Sequence, residues 1–182
     1  NYFKNSNFEI SYIFPSNQKE QLSKYIELNL FSKNNTVHFF NFARRSMNIY
    51  KEFISIINLY NIFKKEKPNI VYATTLKLSL HLIIINFFFK IKIINNFSGL
   101  GYLYVNNSIK INFIRFFFEL ILKLLSNNKF IYIFENKRDM EYFINKKILN
   151  RSNCFNINGV GVNTDKFKFF KKNFDNVYTV TM

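Results

Sequence analysis

The four glycines of the chain fall into two pairs. Ser98-Gly99-Leu100-Gly101-Tyr102 holds one pair and Gly159-Val160-Gly161-Val162-Asn163 the other, each directly after an apolar run that reads as a strand. Glycine at a strand end lets the backbone approach a ligand closely or take a positive φ. It serves equally in a tight turn with no ligand. The spacing is not Gly-x-Gly-x-x-Gly and no helix is expected to open directly from Gly101, so a dinucleotide site is not indicated. A third candidate is Phe134-Glu135-Asn136-Lys137-Arg138-Asp139. A carboxylate at the carboxyl end of a strand can bind a hydroxyl or act as a base; alternatively Glu135 or Asn136 caps the helix that follows. Arg44-Arg45 come after Phe39-Phe40-Asn41-Phe42. Paired arginines beside aromatics can grip a phosphate, or stand as a solvated charge pair. Lys77, near a helix start, poses the same choice between an anionic ligand and solvent.

Other chemistries have no residues to carry them. His38 and His81 lie far apart, with no Cys, His or acidic residue at ligand spacing, so no metal site is expected. No Gly-x-Ser-x-Gly, Cys-x-x-Cys or P-loop is present. Cys154 is the one cysteine; it has no disulfide partner and no neighbouring His, and reads as a small core residue on a strand. The net charge of +15 attracts polyanions, whether nucleic acid, anionic lipid or phosphorylated substrate, and does not choose among them. Drift towards Asn, Lys, Ile and Phe, as from an AT-rich genome, accounts for part of it. No RNP-like, KH-like or zinc-finger pattern points to RNA.

The elements that must position these residues alternate. Phe8–Phe14 reads as a strand, with Gln18–Leu28 helix-compatible after Pro15. Thr36–Phe40 is a second strand. Asn48–Lys65 has apolar residues at helical spacing, with Lys64, Lys65 and Lys67 suiting the helix dipole and Pro68 ending it. Ile70–Ala73 is an uninterrupted apolar strand, and Thr74 or Thr75 caps a buried helix to about Phe89. Its run Leu78–Phe89 is shorter than the roughly 20 residues of a membrane span. Ile91–Asn95 is the next strand. Ile109–Leu125 is a helix on which Arg115, Glu119 and Lys123 fall four apart and can pair. Strand Phe130–Phe134, helix Lys137–Lys147, strand Asn153–Ile157 and a last strand Asn176–Met182 complete the chain. Such alternation predicts an α/β fold with a Rossmann-like, doubly wound parallel sheet, whose ligands bind in loops at the carboxyl ends of strands. Those loops follow Ala73, Asn95, Phe134 and Ile157.

In this order the segments resemble the N-terminal domain of family 4 glycosyltransferases of the GT-B fold. The likeness is to bacterial enzymes that build capsule, O-antigen and N-glycan-type oligosaccharides on a polyprenyl-diphosphate carrier. Arg44-Arg45-Ser46-Met47-Asn48 resembles the family's Arg-Arg-x-x-Asn stretch. Lys67-Pro68-Asn69-Ile70-Val71-Tyr72, with Thr75-Leu76-Lys77, resembles its Lys-Pro-Asp-Val-Val-His strand and following Thr-Ile-Lys-Pro. Ser98-Gly99-Leu100-Gly101-Tyr102 resembles its Thr-Gly-Leu-Gly-Tyr. Phe134-Glu135-Asn136 and Gly159-Val160-Gly161-Val162-Asn163 resemble its Phe-Gln-Asn and Gly-Ser-Gly-Val-Asp segments. Leu78 stands where the family has Pro, and Asn163 where it has Asp.

The resemblance implies half of a GT-B enzyme, cut at both ends. Residues 1–175 would be the acceptor-side domain without its first strand, and residues 176–182 the first strand of a donor domain that follows. It implies a retaining transfer of a hexosyl or N-acetylhexosaminyl group from a UDP- or GDP-sugar to a lipid-linked saccharide. The nucleotide sugar is held mainly by the second domain, no metal or cofactor is required, and this portion by itself is inactive. Partners implied are the polyprenyl-diphosphate-linked acceptor and an anionic membrane, with the protein peripheral on the inner face of the plasma membrane. The Ser98–Tyr102 loop, Asn136, Gly159, Gly161 and Asn163 would wall the acceptor cleft. Glu135 would be the polar or catalytic contact, and Arg44, Arg45 and Lys77 would meet the acceptor diphosphate or the membrane. The alternative is a non-catalytic basic α/β module that binds nucleic acid or anionic membrane. A GT-B-like sugar epimerase is disfavoured by the Gly-Leu-Gly-Tyr segment.

Overall fold

The computed structural model describes residues 8–27, 35–42, 48–159 and 161–168, with side chains 24–27 undescribed. Arg44, Arg45 and the strand expected at 176–182 lie outside the described residues. Among the described residues six strands and six α-helices follow one another, alternating except where α4 and α5 are consecutive: β1 Ser11–Pro15, α1 Lys19–Glu27, β2 Thr36–Phe40, α2 Ile49–Glu66, β3 Ile70–Ala73, α3 Leu76–Phe89, β4 Lys92–Phe97, α4 Tyr102–Val105, α5 Ile109–Leu125, β5 Phe130–Phe134, α6 Lys137–Asn145 and β6 Cys154–Asn156.

Local chemistry sets the boundaries. Asn48 begins α2 by accepting the N–H groups of Tyr50 and Lys51, and Thr75 begins α3 by accepting that of Leu78. Lys67 and Lys90 end these helices in the left-handed region, at φ 46° and 55°. Asn86, which interrupts the apolar run of α3, has a structural role: its carbonyl oxygen accepts the Ile91 N–H at 2.6 Å and ties α3 to β4.

All strand pairs are parallel, as the alternation predicts. The architecture is α/β with parallel sheets, consistent with a Rossmann-like fold, but the described strands fall into two ladders and do not form one continuous sheet. Among the described residues β1 pairs with β2, and β3-β4-β5-β6 forms a separate ladder in that order. Register aligns Val71, Ile93 and Phe130 on one face, with Ala73, Asn95, Tyr132 and Cys154, then Phe97 and Phe134. This face is buried under α2, α3, α5 and α6, whose Leu59, Phe63, Leu82, Ile83, Phe118, Leu122, Met140 and Phe143 share one core with it. The other face is left open at Ile70, Tyr72 and Phe155, each more than half exposed. The reason is directional. From β3 to β6 the chain always steps the same way along the sheet, and right-handed crossovers taken in one direction put every helix on one side. A second helical layer requires a reversal, and strand–helix alternation alone carries no information on reversal.

The β1–β2 pair is fastened to the larger layer at both ends. At the amino end Glu66 accepts from Ser11 Oγ at 2.6 Å and Thr36 Oγ1 at 3.2 Å, and bonds His38 Nε2 at 2.9 Å. These bonds, led by Ser11, hold its carboxyl below the ordinary range. At the carboxyl end Ser55 Oγ donates to the Asn41 carbonyl at 2.6 Å, and the Phe42 ring meets His81 edge-on at 5.8 Å.

An aromatic cluster joins β4, β5 and α6. Phe97 lies 5.2 Å from Phe134 and 6.1 Å from Phe143, and Phe134 lies 5.7 Å from Phe143, centroid to centroid. Phe143→Ala should lower unfolding stability by about 3–5 kcal/mol in denaturant melts, because Phe97, Phe134, Tyr104 and Tyr142 all lose a ring neighbour.

Candidate functional site

The carboxyl ends of β4, β5 and β6 bring three of the sequence candidates to one edge. Phe97 and Phe134 are register partners, and the Glu135 N–H donates to the Phe97 carbonyl at 3.3 Å. Glu135 therefore begins its loop directly beside Ser98. On the other side the Ile157 N–H and Asn156 Nδ2 both donate to the Phe134 carbonyl at 2.9 Å, which sets the loop to Gly159 next to Glu135.

On the open face of the sheet a polar row runs across three strands. Asn96 Nδ2 donates to the Tyr72 hydroxyl at 2.9 Å and to Glu135 Oε1 at 3.4 Å. Asn96 is buried, and its Oδ1 has no partner. Asn96 belongs to none of the quoted motifs, and Tyr72 closes the Lys67–Tyr72 stretch without a role assigned to it. The available signal was Asn95-Asn96, two amides at the carboxyl end of an otherwise apolar strand. Asn95 points the other way, fully buried among the core residues, with both amide atoms unpartnered. Orphaned buried amides are rare and costly.

The Ser98–Tyr102 loop is held by its own helix. Contrary to the expectation that no helix opens there, α4 starts at Tyr102, with the Gly101 carbonyl accepting from Tyr104 and Val105 N–H at 3.1 and 3.3 Å. Gly101 has φ 59° and ψ −158°, a region that essentially glycine alone occupies. A Cβ on Gly99 or Gly101 would meet no atom within 4 Å, so the loop backbone faces open space. Arg115 pins α4 from below: Nε donates to the Leu103 carbonyl at 2.8 Å and Nη2 to that of Asn106 at 2.7 Å. The anticipated Arg115–Glu119–Lys123 ladder does not form. Glu119 turns to α6 instead, accepting from the Tyr142 hydroxyl at 2.8 Å and Lys146 Nζ at 3.3 Å, while Arg115 is taken up by the two carbonyls near α4. Tyr102 is exposed, and its hydroxyl accepts from Asn106 Nδ2 at 2.7 Å.

The remaining candidates have structural partners. Asn136 is the cap of α6, accepting the Arg138 N–H at 2.9 Å. Asn163 closes a turn, accepting the Lys166 N–H on its side chain and the Phe167 N–H on its carbonyl, each at 2.9 Å. Gly159 and Gly161 take positive φ with open space beside them. Leu100 packs on the core. Cys154 is buried, and burial pushes its thiol up to about 11, which keeps it protonated and inert.

Lys77 belongs to a second group, at the start of α3. Its Nζ lies 2.6 Å from Glu52 Oε1 and 5.4 Å from the Phe42 ring centroid. Glu52 Oε2 bonds His81 Nε2 at 3.0 Å, and the buried His81 Nδ1 has no partner. The two histidines thus each face a glutamate distant in sequence, Glu66 or Glu52, a pairing that spacing within one element does not reveal. Among the described residues no cluster of three His, Cys, Asp or Glu is poised for a metal.

Burial holds the His81 imidazole below its ordinary pKa, against the opposing pull of Glu52. The sign follows from linkage. Below about pH 6.5 the unfolded chain takes up a proton that folded His81 refuses, so stability falls as pH drops. The melting temperature should decline from pH 7 to pH 5, with less decline in His81→Gln; parallel profiles for the two proteins would refute this.

No family model matches the chain, and no match is found among curated proteins.

Proposed function

We propose that this chain is the acceptor-binding α/β domain of a glycosyltransferase. The observation that carries the reading is the Tyr72–Asn96–Glu135 row beside the Ser98–Tyr102 loop. A phenol, an amide and a carboxylate, placed on an apolar sheet at the carboxyl ends of its strands, suit the hydroxyls of a saccharide, which both donate and accept. The glycine loop, with open space over its backbone, suits close approach of a sugar ring. The ordered motifs that resemble family 4 glycosyltransferases support the same reading.

In this account the reaction replaces the bond from the anomeric carbon to a nucleoside diphosphate by one to an acceptor oxygen, with retention. The proton of the acceptor hydroxyl passes to the departing UDP or GDP. Glu135 orients the acceptor sugar. Arg44, Arg45 and Lys77 are assigned to the acceptor diphosphate, Lys77 being shared with Glu52. The donor sugar is held mainly outside these residues, and neither metal nor cofactor takes part. The acceptor is lipid-linked, so the protein works against the inner face of an anionic membrane. No described helix is long and apolar enough to cross a membrane.

Calorimetric titration with a short-chain polyprenyl-diphosphate-linked saccharide tests this. Saturable binding is expected, weakened about tenfold by Glu135→Gln, which loses a charged hydrogen bond, and weakened also by Arg44→Ala with Arg45→Ala. Unchanged affinity in all variants would sink the assigned roles. Salt-dependent RNA binding with no acceptor binding would favour the second reading, a basic non-catalytic module, which rests on the net charge of +15.

A further inference from the structure

Helix α5 is apolar where it should be polar. Its inward side is accounted for by Ile111, Phe118 and Leu122, all buried. At steps of three and four along the opposite side stand Ile109, Phe113, Phe116, Phe117, Leu120 and Leu124. Ile109 is 90% exposed, Phe113 63%, Phe116 60% and Leu124 68%. Scattered exposed apolar residues are ordinary, but five in one stripe on one helix, with the half-buried Leu120 between them, are not. Lys110 borders the stripe beside Phe117, and Lys123 borders it beside Phe116, both exposed. The one carboxylate of α5, Glu119, is turned away to Tyr142 and Lys146.

We propose that this face of α5 is a docking surface for an anionic lipid bilayer, with the helix lying in the plane of the membrane. Phenylalanine rings enter the acyl boundary without leaving a polar group behind. The flanking lysines reach lipid phosphates on aliphatic stems, and no acidic side chain on the arc opposes them. Charge decides between occupants. A second copy would bring a net +15 against +15, whereas an anionic leaflet attracts the same charge. The site edge at Glu135 and this stripe are different surfaces, one on the open sheet face and loop ends, the other on the outside of the helical layer. The inference gives a location to the membrane association in the proposed function and rests on that part of it. Its test uses neither sugar donor nor acceptor, so either can fail without the other.

The sequence contains no tryptophan, so a single introduced indole reports on its own surroundings. Phe113→Trp places it on the stripe. Phe155→Trp places it on the open sheet face, opposite the helices. With vesicles of equal parts phosphatidylglycerol and phosphatidylcholine, Trp emission at position 113 should shift to the blue, while that at position 155 should not. Flotation with the same vesicles should fall about tenfold in Phe113→Ser with Phe116→Ser. It should fall also on replacing phosphatidylglycerol by phosphatidylcholine. Both serine sites are exposed, and an unchanged circular dichroism melt checks that the fold is kept. A blue shift confined to position 155, flotation unchanged in the double variant, or a dimer that the double variant dissolves without any vesicle binding would each overturn the proposal.

Discussion

The carboxyl ends of β4 and β5 are held together by three phenylalanines. Phe97 and Phe134 sit side by side in register, and Phe143 of α6 closes over both. Everything at the candidate edge hangs from this contact. It fixes where the β4 strand stops and the Ser98–Tyr102 loop begins, and it places Glu135 one residue beyond Phe134, against the Phe97 carbonyl. Tyr104, packed at 5.7 Å on Phe143, carries the same anchorage into α4, and Arg115 completes it by binding two carbonyls near that short helix. Aromatic packing lies below the edge and open loop backbone above it, so the core sets the positions of the loops.

One-sidedness is the second constraint. Because β3 to β6 advance in a single direction, the helices of those crossovers share a face, and the Tyr72–Asn96–Glu135 row is left on the other. The same layering exposes the outer side of α5, which no described element covers. The protein therefore presents two unlike surfaces. One is a sheet edge lined with hydrogen-bonding groups, and the other an apolar stripe between lysines. In the proposed reading a lipid-linked saccharide would require both properties of one protein.

Element type and order were legible in the sequence. Apolar runs such as Ile70–Ala73 and Phe130–Phe134 are strands within a residue of the expected bounds, and caps at Thr75 and Asn136 were among the alternatives that local chemistry allowed. Long-range pairings were not legible. His38 with Glu66, His81 with Glu52, and Glu119 with Tyr142 join residues more than 20 apart, and helical spacing suggested a different partner for Glu119. Nor was the direction of successive crossovers, which decides how many helical layers the sheet carries. The site was half visible. Glu135 and the glycine loop follow from strand ends, whereas Tyr72 and Asn96 become partners only once β3, β4 and β5 lie in register.

The most direct measurement is hydrogen–deuterium exchange of the protein with and without a short-chain polyprenyl-diphosphate-linked saccharide. The account requires slowed exchange at residues 98–102, 135–136 and 157–159, the three loops at the carboxyl ends of β4, β5 and β6. Protection confined to the amino-end cluster around His38 and Glu66, or no protection at all under saturating ligand, would contradict it.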